Sequence, residues 1–140
     1  MATYGFARST LETTHKAEVR YAGGFAPNGS STPAAAGIRG NWIDSVAHTA
    51  TGVWTITMSK PYKNVRGLIS AQVSLQLATA ALNIVQLGTI DLSAGTIVVR
   101  AFLEDIYGIL AAADIAAATG NQIHVSLTFK YANVPDGAGV

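Results

Sequence analysis

The sequence predicts an all-β domain, an antiparallel β-sandwich with a jelly roll as one arrangement of it. Three observations carry that prediction. Apolar residues recur with a period of two, the mark of strands with one buried face. β-Branched and aromatic residues crowd those runs, as a pleated, half-buried surface favours. Turn signals rich in Gly, Asn and Ser separate them at short intervals, giving about seven or eight strands.

Taken in order, Glu18 to Phe25 places Val19, Tyr21 and Phe25 on one face, and Gly23-Gly24 suggests a bulge or an edge there. Asn28 to Gly37, with its NGSST run, Pro33 and three alanines, reads as a long flexible loop. Ile38 to Thr49 carries Ile38, Trp42 and Val46 in a loose register that Ile43 and Asp44 disturb. Ala50-Thr51-Gly52 then turns the chain into Val53 to Met58, where Trp54, Ile56 and Met58 oppose Thr55 and Thr57.

From Ile69 to Leu77 the alternation is clean, with Ile69, Ala71, Val73, Leu75 and Leu77 facing inward. Ala78 to Ala81 reads as a loop or strand crossover. Asn83–Leu92 and Thr96–Glu104 flank Ser93-Ala94-Gly95, a turn with Gly available for positive φ, and form a hairpin. Val98 and Phe102 make the second of these apolar on both faces, as in a strand covered on two sides. Leu110 to Thr119 is open to two readings: two or three helical turns closed by Gly120, or a tightly packed Ala-lined connection. Ile123 to Tyr131 returns to period two, with Ile123, Val125, Leu127, Phe129 and Tyr131 inward. Residues 1–16 thus form an N-terminal arm without a clean period, 17–134 the sandwich, and 135–140 a short tail. The expected core anchors are Trp42, Trp54, Ile56, Val73, Leu75, Val125, Leu127 and Phe129.

Composition bounds the function. Only 12% of the 140 residues are Asp, Glu, Lys or Arg, about half the ~25% usual for soluble domains. Charged side chains keep a solitary small protein hydrated, so much of this exterior is expected to be covered by other protein. No stretch approaches the ~20 continuous apolar residues of a spanning helix, so no membrane partner is expected. Nine basic residues nearly cancel eight acidic ones, which leaves no electrostatic footprint for nucleic acid. Lys60, Lys63 and Arg66 read either as a contact patch for an acidic partner or as a solvated loop. Cysteine is absent, which removes disulfides, thiolate chemistry and Cys-based metal sites. The N-terminal MATYGFARSTLETTHK lacks the apolar core of a secretory signal, so use without Sec export is expected.

The residues offer no catalytic pattern. His15, His48 and His124 lack metal-ligand spacing, and only a metal bridging equivalent histidines on a threefold axis would use them. Glu104 and Asp105 are adjacent, so on a strand they point to opposite faces and cannot work as an acid–base pair. Phosphate loops and the nucleophile elbow are missing. Trp42, Trp54, Tyr62 and Tyr107 could form a carbohydrate-stacking platform, or serve the core. No enzyme activity, cofactor or metal is therefore expected.

The run GIRGNWIDSVAHTATGVWTITMSKPYKNVRGLISAQVSLQL resembles small virion proteins of tailed bacteriophages. In them I-R-G precedes a strand, T-G-V-[WY]-T-[IV]-T makes a hairpin and P-Y-x-x-V leads into a long strand. GTIVVRAF, AAADIAAATGNQIHVSLTF and the FAPNGSSTP loop fit the same pattern, so the likeness covers roughly residues 20 to 132. It implies a capsid decoration (cement) protein, made in the host bacterial cytoplasm and placed on the capsid exterior. It further implies a homotrimer that binds the major capsid protein and bridges shell subunits. Tyr4, Phe6, Arg8 and Leu11 would anchor the arm on the shell, ordering as they bind. The alternative is a head-fibre or tail-fibre module that binds host glycan.

Overall fold

The computed structural model describes residues 18–62, 67–79 and 81–130. Two antiparallel sheets pack face to face. One runs in the order β2-β1-β9-β5, built from β1 (Glu18–Phe25), β2 (Ile38–Arg39), β5 (Leu68–Gln76) and β9 (Gln122–Lys130). The other runs β3-β4-β7-β6, built from β3 (Ile43–Ala50), β4 (Val53–Met58), β6 (Asn83–Asp91) and β7 (Thr96–Glu104). The short β8 (Leu110–Ala112) pairs with the end of β7. Ala35–Gly37 and Lys60–Tyr62 are single 3-10 turns. The chain is an all-β sandwich. Within the second sheet β3–β4 and β6–β7 are hairpins, and the first sheet joins strands far apart in sequence.

The alternating residues meet between the sheets. Trp54, Ile56 and Met58 of β4, Ile97, Val99 and Ala101 of β7, and Ile123, Val125, Leu127 and Phe129 of β9 are all buried. Apolar burial of this kind contributes about 25 cal/mol per Å² removed from water. Val73 and Leu75 pack against this core from β5 but stay partly exposed. Trp54 lies against Phe25 with ring centroids 5.9 Å apart.

Ile38 to Thr49 is not one strand. The chain leaves the first sheet after Arg39 and enters the second at Ile43, and Trp42 stands at the switch. Gly40 makes the corner with φ +110°, a backbone geometry that L side chains rarely adopt. The Trp42 indole folds back to donate to Ala22 O at 3.0 Å and stacks on Tyr21. This close approach also explains Gly23, which lies in an unbroken register with β9 and so marks no bulge, while β2 pairs only with Gly24 and Phe25 and leaves the stretch of β1 before them at the sheet edge among the described residues. A Cβ on Gly23 would run into the Arg39 carbonyl and approach Trp42 Nε1 to 2.9 Å.

Leu110 to Thr119 is not helical. Its first residues form β8, and Ala113 N–H donates to Ala101 O at 3.1 Å. Ile115 is then inserted into the core at 2% exposure, so tertiary contacts override the local preference of alanine for helix. Ile69 is also placed differently from its period. A bulge between Leu68 and Ser70 turns it outward to 55% exposure. The 28–37 loop is pinned by an Asn28–Ser31 bridge, by Ala26 N–H to Gly37 O, and by the buried Pro33. On the outer face of β7, Val98 and Phe102 are half-buried, not enclosed by a second layer.

Candidate functional site

The histidines come first because they would carry chemistry. His48 sits near the end of β3, and its Nε2 lies 2.7 Å from Asp114 Oδ1. The same oxygen accepts the Gly52 N–H at 2.6 Å. Burial pushes the Asp114 carboxyl up, but the Gly52 N–H and His48 outweigh it and hold the group below the usual carboxylate range. The arrangement ties the 113–118 connection to the β3–β4 turn. It resembles a His–Asp dyad, and Thr32 Oγ1 accepts from the His48 backbone N–H at 3.4 Å, yet among the described residues no serine, threonine or lysine side chain hydrogen-bonds to the imidazole or the carboxylate. His124 lies on the polar face and contacts Gln76 Oε1 at 3.1 Å. His15 falls outside the described residues. No group of three or more His, Asp or Glu suited to a metal occurs among the described residues.

The remaining acids hold turns. Asp91 Oδ1 accepts from Ser93 N–H, Ser93 Oγ and Ala94 N–H, shaping the β6–β7 turn. The Ala94 N–H and the Ser93 hydroxyl lower its pKa. Asp105 Oδ1 accepts from the N–H groups of Tyr107 and Ile109 at 2.8 and 2.9 Å. Glu104 ends β7 beside it, without forming an acid–base pair with it.

The aromatic residues do not assemble a stacking platform. Trp54 is fully buried and Trp42 is 4% exposed. Tyr62 meets Tyr21 edge to face, while Tyr107 stands alone at the far end of β7.

That far end holds what the sequence did not reveal. β6, β7 and β8 project there and display Leu82, Ile84, Leu103, Ile106, Ile109 and Leu110, all between 42% and 89% exposed, together with Tyr107 at 80%. Cross-strand pairing brings Ile84 against Phe102 and Glu104 against Leu110. The 105–109 turn is closed by Gly108 N–H to Asp105 O and Asp105 N–H to Ile109 O, both 3.0 Å. The polar capacity of the turn is thus spent internally, and its apolar side chains point to water on a fixed scaffold. Scattered exposed hydrophobics are ordinary, whereas this many large apolar side chains gathered at one end of a sheet make that end the candidate interaction site. Its only trace in the sequence is FLEDIYGIL, whose apolar residues fit neither strand nor helix period.

The outer face of the β2-β1-β9-β5 sheet is the opposite in character. Arg39, Arg20, Ser126, His124, Gln72 and Ser74 border a shallow trough floored by Ala22 and Gly23. Arg20 Nε donates to Ser126 Oγ at 3.1 Å and Arg39 Nη2 to Gln122 Oε1 at 2.6 Å. This is a polar face on which several side chains bond one another across strands. The expected arm contacts Tyr4, Phe6, Arg8 and Leu11 lie outside the described residues, as do Lys63 and Arg66 of the basic group. No helix among the described residues is long and apolar enough to cross a membrane. No protein-family model, curated protein or solved structure matches this chain.

Proposed function

We propose that this chain is a non-enzymatic virion subunit, a decoration protein that seats on the shell of a tailed-phage head and bridges its subunits. The observation that carries this reading is the preorganised apolar lobe of β6–β8, with Ile106, Tyr107 and Ile109 at its tip. A surface of this kind is costly to expose and gains free energy when covered by a partner. The scarcity of charge supports it, since 12% Asp, Glu, Lys and Arg suits a chain with much of its exterior covered. The resemblance of the sequence motifs over roughly residues 20–132 to phage virion proteins supports reading the shell as that partner.

In this reading the mechanism is mechanical. Many modest apolar contacts and hydrogen bonds span adjacent capsid subunits and raise the free energy needed to part them under internal DNA pressure. The lobe enters a recess in the major capsid protein, and Tyr4, Phe6, Arg8 and Leu11 strap the arm across a neighbour. No cofactor takes part.

The test is binding of the purified chain to heads stripped of decoration. The wild-type chain is expected to saturate the shell at hundreds of copies. Ile106→Ser/Tyr107→Ser/Ile109→Ser is expected to fold normally and fail to bind. Full binding by that variant would remove the lobe from the contact, and binding of neither protein would overturn the decoration reading.

A further inference from the structure

The two flanks of the sandwich are finished differently. On the flank formed by β1, β2 and β3, Phe25, Trp42, Ile43 and Val46 are all buried beneath the sheet switch. On the flank formed by β5 and β6, the inward side chains Val73, Leu75, Leu77, Val85, Leu87 and Ile90 pack on the core but remain part-exposed. Among the described residues β5 and β6 end their sheets, so each presents a backbone edge on this flank that no described strand covers. An apolar seam therefore runs between these two edges.

Edges are normally protected by charge, proline, bulges or brevity. All four here show some such device, but unequally. β3 has register shifts at Ile43/Ser45 and His48/Ala50 and carries Asp44. The outer strand of the first sheet, β2, is two residues long, and the stretch of β1 beyond it carries Glu18 and Arg20. β6 shifts register between Leu87 and Ile90 and ends on Asp91. β5 is the least defended: its nine residues, LISAQVSLQ, include no charge and no proline, and its one register shift lies at its start, between Leu68 and Ser70. From Ser70 to Gln76 it pairs residue for residue with β9.

We infer that β5 is a contact between copies, and that a second copy of this chain docks by antiparallel pairing of β5 with β5 about a two-fold axis through Val73. An edge that pairs with its own copy sets like residues near one another, so any charge would be repelled by its twin. β5 has none to repel. In the register centred on Val73, Gln72 lies opposite Ser74 of the second copy and Ala71 opposite Leu75. The outward pairs can hydrogen-bond and the inward pairs extend the apolar seam across the junction. No other edge of the described residues is as long and as little defended, so pairing β5 with a different edge of a neighbour, as a threefold ring would need, has no equal partner. The inference refines the proposed function by naming the contact between copies, and it rests on that reading only in holding that the chain works in association.

Sedimentation of the full chain is expected to show a two-chain particle that dissociates on dilution. Gln72→Lys/Ser74→Lys sets lysines opposite each other in this register and is expected to weaken the dimer by about tenfold or more while leaving the melting of the monomer unchanged. Gln72→Glu/Ser74→Glu is expected to do the same, and mixing the two variants is expected to restore pairing as a heterodimer. A monomer at every concentration, a particle of three chains, or charge variants that neither weaken nor rescue association would overturn the inference. Dimers that ignore phage heads would contradict the decoration reading alone, whereas monomers that bind heads would contradict this inference alone.

Discussion

Asp114→Ala tests how the lower end of the sandwich is held. Asp114 Oδ1 accepts from Gly52 N–H at 2.6 Å and contacts His48 Nε2 at 2.7 Å. Gly52 is buried, with φ +65°, and a Cβ on it would come 2.5 Å from Ala101 O. Removing the carboxylate leaves the Gly52 N–H buried without a partner and frees the segment that inserts Ile115. A bond to a charged acceptor is worth about 1.5–3 kcal/mol, and an orphaned buried donor costs about 1–3 kcal/mol. These overlap, so the expected loss is about 2–4 kcal/mol. Asp114→Asn keeps an acceptor and should lose only about 1 kcal/mol.

Acid dependence supplies a second reading of the same group. Because the folded-state pKa of Asp114 lies below its unfolded value, its stabilisation is complete above the unfolded pKa, about 3.9. It is lost as pH falls through the folded value. Asp114→Asn should therefore flatten the acid limb of the stability curve relative to the wild type. Urea unfolding followed by tryptophan fluorescence and circular dichroism measures both effects. An Asp114→Ala variant within about 0.5 kcal/mol of the wild type would refute the reasoning.

Three further outcomes follow from the packing. Gly23→Ala should destabilise by about 1–3 kcal/mol and change the tryptophan emission, because its Cβ meets the Arg39 carbonyl and the Trp42 indole; denaturant unfolding reads this. The Trp54 indole N–H is buried with no hydrogen-bond partner among the described residues, so Trp54→Phe removes an unsatisfied donor along with some volume. It should cost about 1–2 kcal/mol, against about 3–5 for Trp54→Ala, in the same assay. Ile69→Ser should leave the midpoint unchanged within about 0.5 kcal/mol, since the side chain projects from a bulge into solvent.

The strands most legible in the sequence are those whose inner face is sealed from end to end. Trp54-Ile56-Met58 and Ile123-Val125-Leu127-Phe129 alternate without interruption because the register shifts beside them place the extra residue on the neighbouring strands β3 and β5, not on β4 or β9. Legibility failed where a structural event falls between two residues of one pattern. Ile38, Trp42 and Val46 keep a regular spacing, yet the chain changes sheets among them, and only the contacts of Trp42 with Ala22 and Tyr21 reveal it. Ile69 stays in phase on paper because one bulge residue moves it across the sheet. The 110–119 segment misleads for a different reason: its alanines favour helix locally, while the partners of Asp114 lie 62 and 66 residues away. The apolar lobe was hidden by the same ambiguity. Leu103, Ile106, Ile109 and Leu110 look like core residues until the opposing sheet is seen to leave them uncovered.

The central claim is that the lobe is a seat on the capsid shell. Replacing Tyr107 with the photo-crosslinking residue p-benzoylphenylalanine and irradiating decorated heads interrogates that contact in place. The account predicts a covalent product with the major capsid protein, formed from a chain present in hundreds of copies per head. Firm binding to heads without any product from position 107, or a handful of copies per particle, would contradict it.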